Sequence, residues 1–155
     1  MPNLKFRTVL LRSARLLSDE FNEILLQHQL NYSLWQVLYL IQDQPEINAN
    51  EIAKYLNVSK PSITKRVHSL IHLELIQALD GVDKRAKNLS LTEKGLLMFK
   101  TCSEQIDSYE KTLLSSFTPH ALEQSFDTLN QLLNQLQQPK TSRNNINAQL
   151  ENTHD

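Results

Sequence analysis

Two short basic segments hold the residues with the most chemistry to offer. Ser59-Lys60-Pro61-Ser62-Ile63-Thr64-Lys65-Arg66 mixes hydroxyls with cations, and Asp83-Lys84-Arg85-Ala86-Lys87 follows within two dozen residues. Side chains of these types bind anions. On a helix, the first segment fits the major groove of a duplex. On a hairpin tip, the second reaches the minor groove. Together they form a two-pronged grip on double-stranded DNA, a conclusion that neither prong carries alone.

The first prong can be placed residue by residue. At about 100° per residue, Ile63, Val67, Leu70 and Ile71 share one arc, the expected buried face. Ser62, Lys65, Ser69 and His72 lie opposite, with Pro61 and His68 on one flank and Thr64 and Arg66 at the borders. No carboxylate interrupts this polar face before Glu74, whereas ordinary surface helices mix signs to form i,i+4 pairs. Ser59 caps the helix, Pro61 sits in its first turn, and the free N–H groups around Ser59 to Ser62 offer a phosphate contact. A preceding helix, Asn50 to Asn57, would cross behind and brace it through the Asn57-Val58-Ser59 turn, which is helix-turn-helix logic. The same patterning also suits a plain packing pair. In the second prong, Asp83 and Arg85 project to one side of an extended tip, so the carboxylate can direct the guanidinium into the minor groove. Lys84 and Lys87 would serve flanking phosphates. The competing reading is an exposed turn with an ion pair of little worth.

These prongs need a frame, and the chain of 155 residues is long enough for one domain or a compact module with appended helices. Hydrophobic residues make up 40% of it, enough for a core, and its two glycines, Gly81 and Gly95, argue for a mostly helical protein with backbone freedom beside the hairpin. The formal charge is −1, yet Lys54 to Lys87 carries seven Lys/Arg against three acids, a local +4. Such a basic stripe on an acidic remainder holds phosphates without indiscriminate sticking, although a solvated charged face reads the same way. Cys102 is the only cysteine, so no internal disulfide framework exists. No leader and no apolar run of membrane-spanning length is found, and a soluble, cytoplasmic protein that does not engage membranes is expected.

Helical periodicity marks both ends of the chain. Leu10, Ala14, Leu17, Phe21 and Ile24 form a stripe within a helix from about Lys5 to His28, and Leu122, Phe126, Leu129, Leu133 and Leu136 form another behind the Thr118-Pro119 cap. Pairing with the same helices of a second copy would bury both stripes, as would packing on the chain's own core. Between them, Ser33-Leu34-Trp35-Gln36 reads as a capping box opening a helix to about Gln42, and Asn48 to Glu51 opens the next, burying Ile52, Ala53 and Leu56. Leu75 to Leu79 and Lys87 to Leu91 read as strands. Thr92 caps a long helix to about Phe117, with Leu96, Phe99, Cys102, Ile106, Tyr109 and Leu113 in phase. Residues 139–155 turn polar and are expected to be a disordered tail.

With these segments in order, the chain resembles the multiple-antibiotic-resistance regulator (MarR) family across residues 5–137. The most specific match is Asp83-x-Arg85 followed by Leu91-Thr92-Glu93-Lys94-Gly95, and Ser33-Leu34-Trp35-Gln36-Val37-Leu38 supplies a softer one. The resemblance implies a mainly α fold: a winged helix-turn-helix DNA-binding lobe with a two-stranded wing, flanked by N- and C-terminal dimerisation helices. On that reading, residues 1–30 form the N-terminal dimerisation helix. Residues 31–100 form the DNA-binding domain, with reading helix 59–74 and wing 75–91, and residues 92–138 form the long linker helix and C-terminal dimerisation helix. A homodimer on a pseudo-palindromic operator is implied, usually repressing, and commonly released by a small aromatic or phenolic ligand. In the family, such ligands sit between dimer helices and DNA-binding lobe. Here Arg12, Arg15, His28, Tyr32 and Trp35 are the candidates to contact one, with core packing as the competing role of Trp35. Two positions depart from the pattern: Glu74 stands where the family usually has glycine, and Gln77-Ala78 replace a common basic residue.

Other classes fare less well. No glycine-rich phosphate loop, nucleophile elbow or HExxH motif suggests an enzyme, and no cofactor is expected. His68 and His72 are spaced to share a metal, but no third ligand is evident in the sequence. Cys102 could make the chain a thiol-based redox sensor, although its phase with Phe99 and Ile106 suits a small buried hydrophobe. A winged-helix protein–protein module without DNA activity is the remaining alternative.

Overall fold

The structure is a computed structural model, which describes residues 5–80 and 87–138. Among these, the chain runs α1 (Phe6–Leu26), α2 (Tyr32–Asp43), α3 (Ala49–Leu56), α4 (Lys60–His72), β1 (Ile76–Asp80), β2 (Lys87–Leu91), α5 (Glu93–Leu114) and α6 (Pro119–Gln137). One unit ends at Glu110, and a second begins at Lys111. The mainly α architecture with a two-stranded wing is the expected one. Wing-tip residues Asp83, Lys84 and Arg85, and the tail 139–155, lie outside the described residues.

Local chemistry explains where the helices begin. Asn48 caps α3 by accepting from the backbone N–H groups of Asn50 and Glu51, while Glu51 reaches back to the Asn48 N–H, completing a capping box. Ser59 and Thr118 cap α4 and α6 as their sequences suggest. The capping box expected at Ser33 and Gln36 does not form. Asn31, two residues earlier, is extended and its side chain accepts from Leu34 N–H at 2.9 Å, so α2 opens at Tyr32 and Ser33 lies inside its first turn.

The core of the first unit gathers Phe21 and Leu25 of α1, four residues of α2, and Ile52 and Ala53 of α3. Leu30 and Ile47 of the loops before α2 and α3, Ile63, Val67 and Leu70 of α4, Leu75, Ile76 and Leu89 around the wing, and Cys102 and Ile106 of α5 complete it. Each fully buried Leu or Ile contributes about 1.5–3 kcal/mol. Three expected core positions differ. Ile71 is 41% exposed, because the buried face of α4 is a narrow 63/67/70 row and Ile71 falls at its border. Leu96 and Leu113 are also exposed, since α5 turns Gly95, Cys102 and Ile106 inward instead.

Strand β2 is paired on both of its sides. β1 and β2 pair antiparallel from Ile76↔Leu91 to Asp80↔Lys87, and Leu89 N–H donates to Ile47 carbonyl at 2.9 Å beside an Asn48↔Asn88 bridge. The wing is thereby fixed to the segment that leads into α3.

Helices α1, α3 and α4 end in the same way. Gln29, Asn57 and Glu74 adopt φ of 59°, 52° and 60°, and the residue after each donates back to the last buried turn: Leu30 to Leu25, Val58 to Ala53, and Leu75 to Leu70. This is the Schellman ending, normally given to glycine. The departure at Glu74 therefore leaves the helix ending intact and places the strain, about 1–2 kcal/mol, on a non-glycine residue.

The start of α5 closes over that ending. Thr92 hydroxyl donates to Glu74 carbonyl (2.7 Å), Lys94 ammonium donates to Leu73 carbonyl (2.8 Å), and Thr92 N–H donates to Leu75 carbonyl (3.0 Å). Gly95 makes this approach possible through its missing side chain, not through backbone freedom: a Cβ there would meet the Leu75 carbonyl oxygen at 1.8 Å.

In the second unit, α6 buries no residue. Phe126, Leu129, Leu133 and Leu136 are 67%, 44%, 51% and 56% exposed, so within one chain this stripe is uncovered. The first half of α1 is similar, with Phe6, Val9, Leu11 and Leu16 exposed and Leu17 only half-buried, while Ala14 faces solvent.

Two substitutions probe the α4 ending in opposite directions. Gly95→Ala is expected to cost about 3 kcal/mol through overpacking. Glu74→Gly is expected to stabilise by about 1 kcal/mol, through relief of the left-handed strain. Urea unfolding followed by circular dichroism measures both.

Candidate nucleic-acid interface

Helix α4 presents the expected face. Ile63, Val67 and Leu70 anchor it inward, which leaves Lys60, Pro61, Thr64, Lys65, His68, Ser69 and His72 exposed and Ser62 and Arg66 half-buried. No acid lies between Lys60 and His72. The positive end of the helix dipole and these cations therefore reinforce one another at the N-terminal half. Three of the expected hydroxyls already have partners: Ser59 accepts from Ser62 N–H, Thr64 donates to Lys60 carbonyl, and Ser69 donates to Lys65 carbonyl. The Thr64 and Ser69 oxygens keep free lone pairs, which suit donors such as base amino groups better than phosphates.

Helix α3 braces α4 from behind. The two are joined through left-handed Asn57, and the sharp change of direction follows from that Schellman turn. Lys87 is exposed at the first residue of β2, where it pairs with Asp80 in the sheet register.

One contribution escaped the sequence reading. A depression of about 280 Å³ beside α4 is lined by Ser62, Lys65, Arg66 and Ser69 on one side and by Asn31, Ser33 and Leu34 on the other. The N-terminus of α2 thus adjoins the reading helix. Its signal was the Asn31-x-x-Leu34 cap, hidden because Ser33 offered a more familiar capping pattern.

The five candidate ligand contacts separate. Arg12 and Arg15 are exposed on α1, and helical rise puts Arg12 roughly 21 Å along the axis from Leu26, beyond which His28 lies. His28 bonds Gln105 through Nε2 at 2.8 Å. Tyr32 and Trp35 instead join an aromatic cluster. Trp35 stacks on Tyr32 at 5.9 Å and on Phe99 at 6.3 Å between ring centroids, with Tyr39 at 5.6 Å, and Phe21 links Tyr32 to Tyr109. Partial desolvation, then the neighbouring Glu20 carboxylate, raise the Tyr109 phenol. Trp35 Nε1 is buried without a hydrogen-bond partner, an unusual state for an indole N–H. One chain does not bring these five residues to a single point.

Among the described residues, no three His, Cys, Asp or Glu side chains converge in a way that could hold a metal, and no helix is long and apolar enough to cross a membrane.

A basic, acid-free helix braced by a second helix, followed by a two-stranded wing, defines a winged helix-turn-helix DNA-binding protein. The MarR-family model matches residues 28–86, which span α2, α3, α4 and β1. An uncharacterized HTH-type transcriptional regulator of Bacillus subtilis, YwoH, is 32% identical over 106 residues, covering 68% of this chain and 77% of the relative. The homoprotocatechuate degradative operon repressor of Escherichia coli is 22% identical over 116 residues, covering 74% of this chain and 78% of the repressor. The crystal structure of the Staphylococcus aureus MepR–DNA complex shares the fold, with a TM-score of 0.78 at 22% identity over 88% of this chain and all of that one. The chain belongs to the MarR family of transcriptional regulators.

Cys102 is fully buried, and desolvation pushes its thiol from the ordinary 9.0 to about 11. A neutral thiol in the core resists oxidation, contrary to a redox sensor's need for an exposed thiolate. Thiol reagents at neutral pH are expected to modify Cys102 only as fast as the protein unfolds. Because the folded value is the higher one, the stability linked to this thiol is intact below pH 9.0 and falls as pH rises through about 11, which denaturation at stepped pH detects.

Proposed function

We propose that this regulator binds a pseudo-palindromic operator as a homodimer, represses transcription there, and is released by a small aromatic or phenolic ligand. The observation that carries the DNA assignment is the acid-free exposed face of α4. In this reading Lys60, Lys65 and Arg66, with the N-terminus around Ser59, Pro61 and Ser62, hold phosphates. Thr64 and Ser69 meet base edges, and Lys87 supports the wing at the backbone. Arg85, directed by Asp83 and flanked by Lys84, enters the minor groove. The repressor role draws support from the Escherichia coli operon repressor.

Dimerisation accounts for the stripes that one chain leaves open. Phe126, Leu129, Leu133 and Leu136 on α6 and the apolar residues at the start of α1 would be covered by the same helices of a second copy. Two reading helices about 34 Å apart would then match successive major grooves. A ligand that favours any other spacing releases the operator. The aromatic cluster with the unpaired Trp35 N–H offers stacking and one donor to such a ligand. Arg12 and Arg15 are left to a site completed across the dimer.

Fluorescence anisotropy on an operator selected from random duplex, repeated across salt concentrations, tests the DNA assignment. Affinity should fall with a slope of about −0.9 per phosphate neutralised. Lys65→Ala should flatten that slope by about one phosphate, and Arg85→Ala should cost roughly 1–3 kcal/mol. Wild-type behaviour in both variants would remove these residues from the interface. For the dimer, Leu133→Asp should convert a sedimenting dimer into a folded monomer with greatly weakened operator binding. A wild-type sedimentation profile would instead exclude the α6 stripe from the interface.

A further inference from the structure

We infer that Pro61 and Thr64 form an apolar notch on the reading helix that takes the C5-methyl group of a thymine, and so select one base pair in each half-site of the operator. The inference rests on the DNA-binding reading above and names the base feature that this part of α4 recognises.

Pro61 and Thr64 are exposed and stand three residues apart on α4, where side chains are neighbours with about 5–6 Å between Cβ atoms. They line one depression together with Lys60, Ser62, Lys65 and His68. Lys60 and Lys65 are long cations suited to phosphates. Ser62 is half-buried and also borders the neighbouring depression with Asn31 and Ser33. Pro61 offers a hydrocarbon ring and has no backbone N–H. The Thr64 hydroxyl donates to the Lys60 carbonyl at 3.0 Å, which commits its only hydrogen to the backbone. What this pair presents to a ligand is therefore a ring, a methyl group and an acceptor lone pair, with no donor.

The missing donor decides among the base edges. Guanine shows two acceptors in the major groove, and reading them takes donors that Pro61 and Thr64 do not have. Adenine and cytosine show amino groups that the Thr64 lone pair can accept from, but they leave the ring and the methyl group without an apolar partner. Thymine alone shows a methyl group there, and closing the notch over it removes apolar surface of both partners from water. The Thr64 lone pair does not conflict with this, because the adenine paired to that thymine supplies an amino donor in the same groove. Lys60 and Lys65 on the flanks hold phosphates, which fixes the depth at which the notch meets the bases.

An operator selected by the full-length protein from unmethylated random duplex is remade with dU in place of each dT in turn, in both half-sites. The exchange removes one methyl group and leaves every hydrogen-bonding group and the pairing unchanged. Anisotropy titrations should find a thymine, at the same place in each half-site, whose replacement weakens binding about fourfold per half-site. Thr64→Ser keeps the hydroxyl and deletes only the methyl group. It should weaken the parent operator by about the same factor and abolish the dU penalty at that thymine. Pro61→Ala should shrink the same penalty, and Lys65→Ala should weaken parent and dU duplexes alike, with circular dichroism confirming that all three variants fold. A dU series without any penalty, or a penalty undiminished in both Thr64→Ser and Pro61→Ala, overturns the inference. So does a selected operator with no thymine common to its half-sites. Selection that retains no duplex at all defeats the DNA-binding reading itself, and this inference falls with it.

Discussion

The approach of α5 to the end of α4 governs the DNA-binding lobe. A reading helix is useful only if its axis and its roll are fixed relative to the wing, and both are set within the few residues from Leu73 to Ile76. There the chain must stop a helix, reverse direction through a left-handed residue and enter a strand. The carbonyls freed at the helix end would be unsatisfied if buried. Thr92 and Lys94 satisfy them from α5, and Gly95 lets the α5 backbone come close enough to do so. A single segment, Thr92 to Gly95, therefore closes one helix, opens another and sets the wing against both.

Such an arrangement explains a composition that seemed ill suited to it. Among the described residues no glycine has positive φ, yet three helices need a left-handed residue to end. Asn57 fills the role at modest cost, because asparagine visits this region readily; Gln29 and Glu74 have no such advantage. What holds them is the burial that follows, with Leu30 on Leu25 and Leu75 on Leu70 as the apolar contact that completes each ending. Burying two leucines outweighs one strained dihedral, so the glycine usual at position 74 can be lost without losing the turn.

These endings mark how much the sequence could reveal. Helix starts were legible where a side chain acts on its own neighbours, as at Asn48, Ser59 and Thr118. The reading helix was legible because its inward row and its acid-free face follow from spacing alone. Where two patterns competed locally, at Asn31 and Ser33, the sequence favoured the wrong one, because only the backbone conformation separates them. The role of Gly95 was beyond reach for a different reason. It depends on Leu75, twenty residues away, and no periodicity encodes a contact between two backbones. The candidate ligand residues dispersed on the same principle. Arginines on one helix and aromatics on another share a site only if tertiary packing brings them together, and within one chain it does not.

The uncovered stripe on α6 and the closed α4 junction bear on one question, how a site far from DNA can act on it. A helix that buries nothing in its own chain has a conformation set by whatever covers it. The lobe, by contrast, has a core of its own, gathered from residues between Phe21 and Ile106. In the proposed dimer, a lobe with its own core would respond to a ligand by displacement as a unit rather than by deformation of the reading surface. Within the lobe, the α4–β1 junction is where an exposed ion pair and a strained residue meet. In the proposed dimer, control of DNA binding then rests on the spacing of the two lobes, which the helices that cover the open stripe of α6 would set.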